Sequence, residues 1–351
     1  MTEKMRAIVK TSPEPGGTEF KEVPKPEPGP NDVLIKVKIC SICGTDVHIY
    51  NWDSWAQSRI HPPLLYGHEF AGEVVRTGEN VTHIQVGDYV SAEGHIYCNK
   101  CYQCNRGERH ICSNLNILGV DTTGIFAEYA KIPAQNVWKN DPDLPMEYAS
   151  IQDPLGNSVH TVFAADVPAR NVLILGCGPT GLFATAVCKK IGAGQIFCTE
   201  KKYEYRANIA KKLGADHVFF GDADVESRIM EATNGVGVDV VLEYTGAPPA
   251  VNQGLKLLRT GGTMVLLGIF SREFCTDLTD NVVFKYATIQ GITGRLIWDT
   301  WYQMKGLFKA GLNVDPVITH KFKFEEFFEA MDVMRSGNSG KVVLYMDQEE
   351  I

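Results

Sequence analysis

The sequence predicts an α/β protein of two domains, in which a β-rich domain is split by an inserted Rossmann-type domain with a doubly wound parallel sheet. Three observations carry this. Before Asn171 the chain is made of short apolar or alternating runs separated by Pro, Gly and Asn turns. From Asn171 continuous apolar runs alternate with amphipathic helical ones, the pattern of βαβ units. After Arg295 two helical stretches and a final strand follow, as if the chain returned to its first domain. At 351 residues two domains are the natural expectation. The expected division is 1–157 for the first part, 158–294 for the insert and 295–351 for the returning segment.

In order, Ala7–Lys10, Asp32–Ile39, Ala71–Arg76 and Asp88–Ala92 read as strands, with turns at PKPEPGPND and RTGEN. GHEFAGEVV followed by VGDYV reads as part of a barrel that bends at its glycines, and Phe126–Ile132 adds a strand. NVLILG is a strand buried on both faces. CGPTGLFATAVCKKIGA is a helix, QIFCTE a strand and YRANIAKKLGA a helix, with HVFF, VDVVLEYTG, TMVLLGI and TIQGIT as further strands. IWDTWYQMKGLFKAG and KFEEFFEAMDVMRSG are helical, and KVVLYM closes the fold.

Composition excludes several classes. Hydrophobic residues at 44% and charged residues at 22% are ordinary for a globular protein. A net charge of −8 without a basic run argues against nucleic-acid or membrane-surface partners. MTEKMRAIVK has no apolar core and is no signal peptide, and no window approaches the ~18 apolar residues of a spanning helix. Ten cysteines without a secretory signal suggest a reducing, cytoplasmic setting. Cys177, Cys188, Cys198 and Cys275 read as small packed side chains.

Cys98, Cys101, Cys104 and Cys112 lie in CNKCYQCNRGERHIC, a polar lobe in which four thiolates close a tetrahedral, coordinatively full zinc site. Two disulfides or a redox C-x-x-C are the alternatives. Gly176, Gly178 and Gly181 form G-x-G-x-x-G between a strand and a helix, where the backbone approaches a pyrophosphate. Glu200, 19 residues after Gly181 at the end of the next strand, fits the acid that accepts from both ribose hydroxyls and repels a 2′-phosphate. NAD is therefore expected over NADP, with Lys201–Lys202 read as a solvated turn. Arg206 either flanks the adenine or is a helix-start cation.

A reactive metal site is expected from CSICGTDVHIY and LYGHEFAGE. Cys43 and His68 are good zinc ligands, Glu69 is a third candidate and Asp153, in QDPLGNSVHT, a fourth. Asp46 is placed to orient His68, and Thr45 with His48 to pass a proton from an alcohol towards solvent. Taken singly, Cys43 would be a core thiol and either histidine a satisfied core residue; their order and spacing carry the reading.

With C-G-T-D-x-H, G-H-E-x-x-G, V-G-D-x-V, the four-cysteine lobe and G-x-G-x-x-G in this order, the chain resembles the zinc-dependent medium-chain alcohol dehydrogenase superfamily. Within it IYNWDSWAQSRI, DPLGNSVHT, GITGRLIWDTWY, DPVITHKF and MRSGNSGKV are most similar to the branch that oxidises L-threonine at C3. The resemblance implies a GroES-like catalytic domain, NAD, two Zn²⁺ per chain (one catalytic, one structural) and a homotetramer. It implies catalytic zinc on Cys43, His68 and Glu69, with Asp153 standing where many members carry Glu, and His95 in the substrate pocket. Arg295 is the candidate partner of the substrate carboxylate. A polyol or 2,3-butanediol dehydrogenase would share the zinc chemistry, and a non-catalytic NAD-binding protein the fold.

Overall fold

A computed structural model describes residues 3–221 and 224–347. The chain forms two compact units: one takes the sequence up to Pro154, Ile318–Gly337 and the segment from Lys341, the other Leu155–Val317 with Asn338–Gly340.

In the first unit the strand Asp32–Ile42 is the spine of a seven-stranded sheet, and nearly all of DVLIKVKICSI is buried. It pairs antiparallel with Glu69–Thr77, Tyr129–Pro133 and Lys341–Tyr345. Tyr89–Ala92 and Val137–Lys139 extend the sheet on one side, Ile318–Lys323 on the other. Register shifts between Leu34 and Ile35 and between Val37 and Ile39 bend the spine. A Cβ on Gly72 would lie 2.3 Å from the Lys36 carbonyl oxygen, so the expected glycine bend is a close approach of neighbouring strands. Tyr66, Phe126 and Phe327 meet edge to face beneath it, with 5.4 Å between the Phe126 centroid and each neighbour.

The second unit holds a six-stranded, fully parallel sheet. Its order is His217–Phe220, Gln195–Glu200, Asn171–Leu175, Val238–Glu243, Leu258–Leu266 and Thr288–Gly291. The order reverses between the strands that begin at Asn171 and Val238, the switch point at which such sheets bind ligands. Val172–Leu175 are completely buried, as a strand covered on both faces must be. The helix Pro179–Lys190 buries eight consecutive residues from Gly181 to Cys188, far more than an amphipathic stripe.

The returning segment begins later than expected. Rather than at residue 295, the chain crosses back at Ile318. The reason is packing: the helix Asp299–Lys309 buries Trp301 and Met304, and a Cβ on Gly156 of the helix Gln152–Phe163 would lie 3.3 Å from Met304 Cε and 2.5 Å from Arg295 Cδ. The first break falls at 154/155 rather than 157/158. The outermost ends of the expected domains, residues 1–2 and 348–351, lie outside the described residues. Among the described residues no helix is long and apolar enough to cross a membrane.

Candidate metal centre and cofactor site

Cys43 follows the strand Asp32–Ile42 and is the N-cap of the helix Gly44–Asn51, in extended backbone. Asp46, in the first turn and fully buried, accepts the Cys43 amide at 2.8 Å, which fixes the thiol's position. His68 and Glu69 are delivered by Gly67, whose φ of +90° and contact with the Phe126 ring only glycine allows. The Cys43 sulfur, a His68 ring nitrogen and a Glu69 carboxylate oxygen all lie within 4.8 Å of one another.

This donor set fits zinc. Thiolate, imidazole and carboxylate are the mixed ligands of open zinc sites. Among the described residues Glu69 Oε1 is buried with no hydrogen-bond partner, an acceptor left over for a cation. Glu69 Oε2, by contrast, is held by the Lys341 ammonium and the Ser41 hydroxyl. Lys341 is 1% exposed and also donates to the Ile42 carbonyl at 2.9 Å. Asp46 Oδ1 lies 3.8 Å from His68 Nδ1, an ion-pair distance too long for a hydrogen bond, and among the described residues both atoms are otherwise without hydrogen-bond partners. Burial alone would push His68 down, but the charges of Cys43, Asp46 and Asp153 outweigh it and raise the imidazole to about 10. Burial pushes Asp46 up to about 6, moderated by His68 and the Cys43 amide.

Other expected residues sit differently. Asp153, in the first turn of Gln152–Phe163, is not within the three-residue set and acts on His68 through its charge. Thr45 Oγ1 accepts from Cys43 Sγ at 3.7 Å, placing the hydroxyl beside the expected ligand. His48 is exposed in the last turn of its helix, with Nδ1 against Asp53 Oδ2. His95 lies in the two-stranded antiparallel pair of His95–Ile96 and Asn116–Ile117; its amide donates to Glu93 Oε1 at 2.9 Å and its carbonyl accepts from Asn136 at 2.8 Å. Arg295 is 1% exposed, its Nη1 donating to Asn157 Oδ1 at 3.0 Å. Within the second unit it also packs against Gly156, whose added Cβ would lie 2.5 Å from Arg295 Cδ.

Cys98, Cys101, Cys104 and Cys112 form a second set within 4.8 Å, and all ten cysteines are free thiols. The lobe is pre-organised for anionic sulfur. Cys101 caps Tyr102–Asn105, and the Cys104 amide it accepts helps hold it down at about 6. Cys112 Sγ accepts the amides of Cys98 and Asn114, both at 3.3 Å. Burial pushes Cys104 up to about 12, so a metal held by the lobe would have to displace its proton.

In the second unit Gly176 turns the chain at φ +96° from the strand Asn171–Leu175, and Gly178 is the N-cap of Pro179–Lys190. A Cβ on Gly181 would lie 2.0 Å from the Gly176 carbonyl oxygen, whereas one on Gly178 meets nothing within 4 Å. Gly181 thus serves close packing, and Gly178 leaves an open cradle in front of a helix N-terminus where a pyrophosphate fits. Glu200 ends its strand and is fixed by the amides of Lys202 (2.9 Å) and Tyr203 (3.2 Å) on Oε1. Lys201 and Lys202 are exposed, and Lys202 lies over the Tyr203 ring at 5.0 Å, in keeping with a solvated turn. Arg206 has a role that was not expected: its Nε donates to the Ser339 carbonyl at 2.9 Å while its guanidinium covers Tyr203 at 4.8 Å, tethering Asn338–Gly340 to the helix Glu204–Lys212.

Sequence reasoning missed Ser41, Lys341 and Glu243. The first two are visible only through strand register. Glu243, fully buried at the end of its strand, accepts the amides of Thr245 (2.6 Å) and Gly246 (2.9 Å) and the Thr245 hydroxyl. Its signal was an acid at a strand end just before T-G.

Residues 29–143 match the family described as alcohol dehydrogenase GroES-like domain, and residues 179–310 the family described as zinc-binding dehydrogenase. The chain is 52% identical to an L-threonine 3-dehydrogenase of Pyrococcus furiosus, over 99% of this chain and 100% of that one. It is 54% identical to an L-threonine 3-dehydrogenase of Caldanaerobacter subterraneus, over 97% of this chain and 99% of the other. Among solved structures, 2R,3R-butanediol dehydrogenase from Bacillus subtilis superposes with a TM-score of 0.87 at 27% identity, over 98% of this chain and 100% of that one.

The two glycines should separate experimentally. Gly178→Ala is expected to fold normally and to weaken NAD⁺ binding by about tenfold or more, read by calorimetry, because the methyl fills the cradle. Gly181→Ala should also lower the thermal midpoint, since its clash is with backbone. Lys341→Met leaves Glu69 an uncompensated buried charge and should cost about 3–5 kcal/mol in urea unfolding, with Glu69→Gln/Lys341→Met recovering most of it.

Proposed function

The chain belongs to the zinc-dependent medium-chain alcohol dehydrogenase superfamily, and we infer that within it the protein oxidises the 3-hydroxyl of L-threonine to 2-amino-3-oxobutyrate with NAD⁺ as hydride acceptor. One observation carries the substrate: identity of 52–54% over essentially the full chain to L-threonine 3-dehydrogenases, against 27% to a butanediol dehydrogenase of the same fold. The Cys43–His68–Glu69 set supports an enzyme over a non-catalytic NAD-binding protein, which would need none of it.

Zinc, when bound, supplies the Lewis acid that makes the C3 hydroxyl acidic, and NAD⁺ the hydride acceptor. Cys43, His68 and Glu69 Oε1 would hold the metal, with Asp153 as a fourth position and Asp46 orienting His68. Thr45 Oγ1 takes the hydroxyl proton and His48 Nε2 carries it outward. His95 would line the substrate pocket. Gly176, Gly178 and Gly181 would seat the pyrophosphate, and Glu200 the ribose diol, which favours NAD over NADP. The four-cysteine lobe would hold a structural zinc.

A homotetramer in the cytoplasm completes the proposal. Among the described residues the edge strand Thr288–Gly291 pairs on one side alone, and Val283, Phe284 and Tyr286 beside it are 67%, 73% and 87% exposed. An apolar open edge of this kind is normally covered by another chain. Ten unpaired thiols suit a reducing compartment.

Purified, zinc-loaded protein should form NADH from NAD⁺ and L-threonine in clear preference to sorbitol, 2,3-butanediol or NADP⁺. Turnover of a diol with silence towards threonine would keep the zinc chemistry and remove the substrate. Zinc content should be about two per chain, and Cys43→Ser should lose turnover and about one zinc while keeping NAD⁺ binding nearly intact.

A further inference from the structure

Asp53 makes two hydrogen bonds in different directions. Its Oδ1 accepts the Ala56 amide at 3.1 Å and caps the short helix Ser54–Arg59. Its Oδ2 meets Nδ1 of His48, in the last turn of the preceding helix. The capping bond locks the carboxylate rotamer, so Oδ2 stands at a fixed place in front of the imidazole. The Trp55 ring closes a third side, its centroid 6.0 Å from that of His48 and inclined at 59°. Partial burial disfavours the carboxylate's charge, but the Ala56 amide and the His48 contact outweigh it and hold Asp53 below its ordinary range.

An imidazole whose Nδ1–H donates to a carboxylate keeps its lone pair on Nε2, the atom free to accept a proton. We propose that Asp53 is a positioning residue for the proton exit, holding His48 in the Nδ1–H tautomer with Nε2 open and steadying the imidazolium formed during turnover. This rests on the reading of His48 as the outward carrier. The C3 O–H bond of the substrate breaks as Thr45 Oγ1 takes its proton. Thr45 gives up its own proton to His48 Nε2, and the imidazolium returns it to water, so the relay ends as it began. With the two side chains 57% and 38% exposed, the pair adds little to stability as an ion pair. Capping alone needs only a serine or asparagine. Orientation of the ring is what the aspartate adds.

Asp53→Ser keeps a capping oxygen and loses the reach to His48. In the full-length, zinc-loaded protein it should leave the thermal midpoint, zinc content, NAD⁺ affinity and KM for L-threonine near those of the parent, and lower kcat by about tenfold to a hundredfold. The ¹⁵N shifts of the His48 ring should move from a single tautomer to a mixture. In a His48→Gln background, Asp53→Ser should add no further loss. Unchanged His48 ring shifts, or an equal kcat loss without His48, would overturn the role of Asp53 alone. A His48→Gln variant as active as the parent would remove the relay itself.

Discussion

Glu69 and Lys341 form a buried ion pair in the first unit, and much of the architecture follows from the need to keep them together. Either one alone in that position would be strongly unfavourable. They are joined because the strand Lys341–Tyr345 lies antiparallel to Asp32–Ile42, which in turn pairs with Glu69–Thr77. The sheet register is therefore also an electrostatic constraint. In consequence Glu69 has one oxygen committed to Lys341 and Ser41 and the other left, among the described residues, without a hydrogen-bond partner, in a side chain grouped with Cys43 and His68. A carboxylate divided in this way is held in place by one oxygen while the other keeps its acceptor capacity.

The second unit solves a different problem with fewer charges. There the site is made of backbone: a glycine turn, a helix N-terminus and one carboxylate held by two amides. Gly181 is required by packing, whereas a Cβ on Gly178 would meet nothing within 4 Å, although the two look alike in the motif. Tight strand–helix contact and an open cradle are thus three residues apart. Glu243, on the neighbouring strand, applies the same device of a carboxylate that gathers amides to set the turn beyond it.

Local spacing made most of this legible. The four-cysteine lobe, Cys43 with Thr45 and Asp46, His68 with Glu69, and the glycine fingerprint each lie within a few residues, so a motif reports them directly. The central strands of the parallel sheet, such as Asn171–Leu175 and Val238–Glu243, were readable because burial on both faces leaves no polar alternation. Lys341 was not readable: its partner lies 272 residues away, and only sheet register brings them together. The hydrogen bond from Arg295 to Asn157 spans 138 residues and is equally invisible to spacing. The late return at Ile318 has the same cause, since a helix reports its apolar face but not which domain that face covers. Asp53 lies in IYNWDSWAQSRI, yet nothing in spacing alone says that one carboxylate meets both a helix N-terminus and an imidazole.

The split of the first unit also orders its biosynthesis. The second unit's main segment is complete at Val317, while the sheet of the first still lacks Ile318–Lys323 and Lys341–Tyr345. Until those strands leave the ribosome, Glu69 has no ammonium beside it and one side of the spine strand stays open. The unit begun first is finished last, and the nascent chain passes through a stage in which a folded insert is carried by an unfinished host.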